Sequence, residues 1–252
     1  MMDVNTLRDA WLLEEAASFQ GWDFSRLEGR RIEEALPWEY RDIVKRYLRP
    51  EHKLLDIGTG GGEVLLSLGH TNANTYVTES YPPNAELCCE KLAPLGITVW
   101  QVDVEDKLSC EDEMFDVVLN RHAVIDIDEV YRVLKPGGVF ITQQVGDNNG
   151  NRIMPDFLVG KYVRHYGIHS LESHKTIFEN AGFGVVESGE HHYKVKFVDI
   201  GAVVYYAKII EWEYAGFSVE THFDRLLKLQ EKLDVHGFVE DSSHRFYLVG
   251  RK

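Results

Sequence analysis

Ten residues constrain this chain more than any others: Lys53–Gly62, K-L-L-D-I-G-T-G-G-G. Leu54, Leu55 and Ile57 read as a buried parallel strand, and Gly58, Gly60, Gly61 and Gly62 turn the chain sharply into a helix. Glycines there let the backbone approach a nucleotide-like ligand, because no Cβ stands in the way. Asp56 sits near the carboxyl end of the strand, two residues before the first glycine.

From Leu54 to about Val145 strand and helix signals alternate, the arrangement of a parallel sheet with crossover helices. Strands are expected at Lys53–Ile57, Thr75–Thr78, Ile97–Val102, Phe115–Leu119 and Val139–Val145. Pro82-Pro83 opens a helix whose Ala85, Cys88, Cys89 and Leu92 share one apolar face. A later helix carries Ile127, Val130, Tyr131 and Leu134 on one face, and Lys135-Pro136-Gly137-Gly138 stops it.

Residues 5–48 read as helical, with Tyr40, Ile43, Val44, Tyr47 and Leu48 on one stripe. Two more strands are expected at about Gly184–Glu190 and at Arg245–Val249, separated by an insertion of roughly fifty residues. Within it, Asp199–Glu211 is apolar all round, which suits either a packed cap helix or a lid lining a substrate. The expected division is a helical N-terminal cap at 1–50, a core at 51–196 and 243–252, and a helical insertion or lid at 197–242.

A formal net charge of −14, from 27 Lys and Arg against 41 Asp and Glu, repels phosphate backbones, so nucleic acid is a disfavoured partner. Three cysteines make no disulfide framework, and no apolar run approaches the length of a membrane span. The N-terminal residues lack the basic and apolar segments of a signal peptide, and the expectation is a soluble cytoplasmic protein.

A dinucleotide fingerprint needs a third small residue where helix meets strand, and that position is Glu63, which fits poorly. Glu79 ends the second strand, where a carboxylate can accept two hydrogen bonds from ribose hydroxyls. Asp103 follows the third strand in W-Q-V-D-V-E-D. The fourth strand region reads E-M-F-D-V-V-L-N-R-H and is followed by E-V-Y-R-V-L-K-P-G-G. Together with the glycine turn, these elements resemble the class I S-adenosylmethionine-dependent methyltransferases, particularly those acting on small molecules, over about residues 53–145.

That resemblance implies a three-layer Rossmann-like, doubly wound sheet of seven strands, mostly parallel with an antiparallel last strand, flanked by helical caps. It implies S-adenosylmethionine as cofactor and a cofactor site of Asp56, Gly58, Thr59, Gly60, Glu79, Ser80, Asp103, Val104 and Asn120. Glu79 would hold the ribose, while Asp103 with the backbone of Val104 would meet the adenine. The Asn/Asp-Pro-Pro-aromatic motif of enzymes that methylate nucleobase amines is replaced by Asn120-Arg121-His122-Ala123, which speaks against that chemistry.

His122 should project near the reacting methyl, either as a general base or as a packing and hydrogen-bonding residue at a helix start. Gln143 and Gln144 end the fifth strand, and alternation aims one of them at the site; Gln143 and Tyr206 are the candidates for acceptor contact. The histidines, including the His165/His169 and His191-His192 pairs, lack a completing Cys or carboxylate at motif spacing, so no metal is expected. The leading reading is methyl transfer to a small-molecule acceptor. RNA or protein methylation, and a non-catalytic, regulatory cofactor-binding module, are the alternatives.

Overall fold

The computed structural model describes residues 3–19, 22–102, 107–124, 126–150, 153, 169–211 and 213–252. Its elements run α1 (Val4–Glu15), β1 (Arg31–Glu33), α2 (Tyr40–Tyr47), β2 (Leu54–Ile57), α3 (Glu63–Ser67), β3 (Thr75–Glu79), α4 (Pro82–Lys91) and β4 (Thr98–Gln101). They continue through β5 (Phe115–Arg121), α5 (Ile127–Val133), β6 (Leu134–Val145), α6 (Leu171–Asn180), β7 (Gly184–Phe197), α7 (Ile200–Ile209), α8 (Val219–His236) and β8 (Val239–Arg251).

The strands form one sheet in the order β1-β7-β8-β6-β5-β2-β3-β4. β2 pairs in parallel with both β3 and β5, and the strand order reverses there, which opens a crevice at the carboxyl ends where α/β folds bind ligands. β8 runs antiparallel between β6 and β7, so its middle brings Arg245 opposite Val145 on the same rim as the ends of β2, β3, β5 and β6.

The sheet has eight strands where seven were expected. The additional strand, β1, lies inside the segment read as helical and pairs antiparallel with Val195–Phe197 of β7. The strands expected at 184–190 and 245–249 are also longer, because β7 and β8 extend together as an antiparallel ribbon. That ribbon carries the sheet into the insertion and shortens its helical part.

Apolar side chains settle into three cores. On one face α2 contributes Tyr40, Ile43 and Val44, and α4 contributes Cys88, beside Leu54, Val117 and Ile141 of the sheet. On the other face α5 and α6 bring Val130, Val133 and Phe178 against Leu55, Val118 and Phe140. Each fully buried aliphatic chain is worth about 1.5–3 kcal/mol, so both faces hold the sheet firmly. Cys89, expected on the buried face of α4, is exposed, and Ala85, Cys88 and Leu92 carry the packing.

The third core joins Trp11 of α1 and Leu27 to Val195 and Phe197 of β7, to α7, and to Leu226 and Leu229 of α8. Residues 1–50 therefore divide between two cores, α1 with the insertion and α2 with the sheet. α7 is buried on all sides, as its all-round apolar sequence requires. Asp199 caps it by accepting from the Ala202 amide at 2.8 Å, and also receives both Nε and Nη2 of Arg30, at 2.9 and 2.6 Å. Burial pushes the Asp199 carboxyl up, but Arg30 and the backbone amides of Ala202 and Gly201 together outweigh it and hold the group below the usual range.

Candidate active site

The glycine turn is tied down on both sides. Gly58 and Thr59 donate their amides to the Thr78 carbonyl at 3.0 and 3.2 Å, which continues the β2–β3 ladder into the turn. The Gly60 amide donates to Glu79 Oε2 at 2.8 Å, while Glu79 Oε1 accepts from the amides of Ser80 and Tyr81, both at 3.0 Å. From behind, Cys88 Sγ donates to the Gly60 carbonyl at 3.0 Å and Lys91 Nζ to that of Gly61 at 2.9 Å. Burial pushes the Cys88 thiol up to about 12, so it acts as a packed donor rather than a nucleophile.

Gly58 and Gly60 both have φ in the left-handed region, +70° and +63°. A Cβ on Gly58 would stand 2.4 Å from the Cβ of Ala123, and one on Gly60 would meet Trp22 Cδ1 at 3.1 Å. Neither position has room for a larger residue. Asp56 is half-buried at the end of β2, and desolvation pushes its carboxyl up to about 6 against the opposing pull of Thr59 and Arg121. The hydroxyl of Thr59 is buried beside that carboxyl. An under-solvated carboxylate and a cradle closed to side chains together suit a cationic, nucleotide-like ligand.

Beside this turn, β5 ends in Asn120, Arg121 and His122. Asn120 is fully buried; it donates to the Ile57 carbonyl at 3.2 Å and accepts from Thr142 Oγ1 at 3.1 Å and Gln144 Nε2 at 2.6 Å. It is the floor that joins the ends of β2, β5 and β6. Tyr40 reinforces that floor from α2, its hydroxyl within hydrogen-bond reach of the Asn120 and Ile141 carbonyls.

His122 adopts φ +63°, a left-handed conformation uncommon for a residue with a Cβ, and its amide donates to the Gln143 carbonyl at 2.9 Å. The residue borders solvent, while its ring is crowded by protein. That crowding, with the positive charges of Arg245 and Arg121, keeps the imidazole well below its usual pKa and therefore neutral at pH 7. The Gln143 side chain links the ring to α2's approach: Trp38 Nε1 donates to Gln143 Oε1 at 2.9 Å, and Gln143 Nε2 lies 3.3 Å from His122 Nε2.

The structure thus gathers Asp56, Gly58, Thr59, Gly60, Glu79, Ser80, Asn120, His122 and Gln143 on one rim. Gln144 turns inward to the Asn120 network instead. Tyr206 belongs to the core of the insertion, with the Arg31 guanidinium 4.7 Å from its ring centre. Asn149, which interacts with Tyr206, accepts from Arg245 Nη1 at 2.8 Å and so connects it to the rim. Asp103 and Val104 lie outside the described residues. Sequence reasoning did not assign site roles to Arg121 or Arg245; the latter is brought in by strand pairing, for which no local signal exists.

Residues 55–142 match the family described as methyltransferase domain. The sterol 4-C-methyltransferase strm-1 of Caenorhabditis elegans is 32% identical over 136 residues, 49% of this chain and 40% of that protein. A probable phthiotriol/phenolphthiotriol dimycocerosates methyltransferase 2 of Mycobacterium ulcerans (strain Agy99) is 37% identical over 90 residues, 33% of this chain and 34% of that protein. The chain therefore spans well under half the length of these curated relatives. A putative methyltransferase from Bacillus halodurans C-125 shares the fold, with a TM-score of 0.58 at 16% identity, covering 85% of this chain and 98% of that one.

Proposed function

From the premise that residues 55–142 form a class I methyltransferase domain, we propose that the chain moves the methyl group of S-adenosylmethionine to a small-molecule acceptor. One observation carries the reading: Glu79 pins the Asp56–Gly60 turn through the Gly60 amide, and Gly58 and Gly60 hold left-handed conformations with no side chain of their own. When bound, the cofactor supplies a methyl carbon activated by a sulfonium. Gly58 and Gly60 give its methionine part access to the backbone, and the Asp56 carboxylate supplies a charge opposite to its ammonium. Beyond the three amides it accepts, Glu79 keeps one lone pair for a ribose hydroxyl, and Ser80 stands beside it. The resemblance assigns the adenine to Asp103 and Val104.

Transfer between sulfur and an acceptor is governed by in-line placement and exclusion of water. The acceptor stands on the side of His122 and Gln143, with Tyr206 behind them. Two observations support a small molecule: the curated relatives are named for sterol and phthiotriol substrates, and the net charge of −14 opposes a nucleic-acid partner. Among the described residues no helix is long and apolar enough to cross a membrane, and three unpaired cysteines suit a cytoplasmic setting.

Calorimetry with S-adenosylmethionine and with NAD tests the cofactor, and a mass-spectrometric methylation screen tests turnover. Binding of S-adenosylmethionine without NAD is expected; tight NAD binding with no S-adenosylmethionine binding would sink the reading.

A further inference from the structure

The indole N–H of Trp38 can only donate, so Gln143 Oε1 is the atom that accepts it at 2.9 Å. This settles the orientation of the amide: the group facing His122 Nε2 at 3.3 Å is the Gln143 –NH2, which can only donate. His122 Nε2 is then the acceptor, its lone pair is engaged, and the ring proton of the neutral imidazole resides on Nδ1. Among the described residues Nδ1 makes no hydrogen bond, and the residue borders solvent. Arg121, the preceding residue, makes no hydrogen bond or ion pair among the described residues, and Arg245 brings a second positive charge within electrostatic reach of the ring.

We infer that His122 serves the proposed methyl transfer as a hydrogen-bond donor through Nδ1–H, not as a general base, and that the site takes an acceptor bearing an anionic oxygen. The inference rests on the methyltransferase reading. Trp38 and Gln143 are positioning residues that set the tautomer. In the transfer, an electron pair of the ionised acceptor forms the bond to the methyl carbon. The pair of the breaking S–CH3 bond goes to sulfur, which becomes a neutral thioether. The acceptor enters as an anion and loses that charge, so no proton passes to the protein. Nδ1–H and the two arginines hold the oxygen meanwhile.

Nitrogen NMR of the protein labelled at its imidazole nitrogens tests the tautomer without cofactor or substrate. His122 is expected to carry its proton on Nδ1 at pH 7.5. In Gln143→Glu the carboxylate accepts from both Trp38 and His122, and the proton is expected to move to Nε2. A proton on Nε2 in the wild type, or an unchanged tautomer in Gln143→Glu, overturns the relay. Benzoate and benzyl alcohol, each titrated with S-adenosylhomocysteine present, test the acceptor class. A His122 Nδ1 shift with benzoate alone supports an anionic oxygen; no shift, or equal shifts with both, overturns that part. Failure of the cofactor to bind in calorimetry, with the tautomer as expected, would instead overturn the methyltransferase reading and leave the relay standing.

Discussion

Glu79 Oε2 accepts the Gly60 amide at 2.8 Å, so the carboxylate read as a ribose ligand also holds the shape of the glycine turn. Its other oxygen accepts from Ser80 and Tyr81 at the entrance to α4. Glu79 is buried, so removing it strands three amides as well as a ligand contact.

Glu79→Ala should therefore do two things at once. Cofactor affinity should fall by about 1–3 kcal/mol, and the ligand-free chain should lose a comparable stability, from the amides left unpaired. Calorimetry and urea unfolding read the two effects separately. Unchanged affinity would remove Glu79 from the site; unchanged stability would remove it from the turn.

Asp56 gives the opposite coupling. Its folded pKa of about 6 lies above the reference value of 3.8, so the folded chain retains a proton that the unfolded chain releases between about pH 4 and pH 6. Across that window stability falls as pH rises, and above it the buried charge costs about 2–3 kcal/mol. Asp56→Asn should stabilise the ligand-free chain at pH 7.5, with the gain vanishing toward pH 4, while cofactor binding weakens. Urea titrations across the pH series check this; a gain that persists at pH 4 would contradict the electrostatic cause.

Much of this site was legible because its signals are local. Glycines, an acid at a strand end and a proline-glycine stop occupy a few consecutive residues each, and their meaning does not depend on distant partners. The eighth strand had no such signal. Arg31–Glu33 has no periodicity to read, and its state is decided by pairing with Val195–Phe197, far along the chain. The Trp38–Gln143–His122 relay is non-local in the same way, since Trp38 and Gln143 are 105 residues apart. Propensity also misjudged Cys89: apolar spacing placed it on the buried face, whereas the packing turns it to solvent.

Trp22 makes the cofactor turn optically visible. The ring lies over Gly60, stacked with Phe24 at 6.4 Å and edge-on to Phe19 at 5.5 Å, on a backbone with φ +57°. Adding S-adenosylhomocysteine should change tryptophan emission in the wild type and much less in Trp22→Phe. Equal changes in both proteins would show that the ring does not meet the ligand.

The Arg30–Asp199 pair anchors the insertion to the segment before β1. Asp199→Ala removes both a helix cap and a two-pronged ion pair, and because the groups are partly exposed the expected loss is about 1–2 kcal/mol. Hydrogen exchange should show faster opening of α7 with β3 protection unchanged. Uniform acceleration across the sheet would mean that the insertion and the sheet unfold as one unit.

β1 covers only three residues of β7 and Glu34 takes up the backbone of Lys194, so among the described residues the outer edge of β7 from Gly184 to Tyr193 has no strand beside it. An open edge of that length is a template for strand addition by another chain. Here it is guarded by a shift in register between Val185 and Glu187 and by the charges of Glu187, Glu190 and Lys194. Deleting the segment that carries β1 would expose Val195 and Phe197 at that edge as well. The cost of losing this short strand would then be paid in self-association, well before it was felt in the chemistry at the ends of β2 and β5.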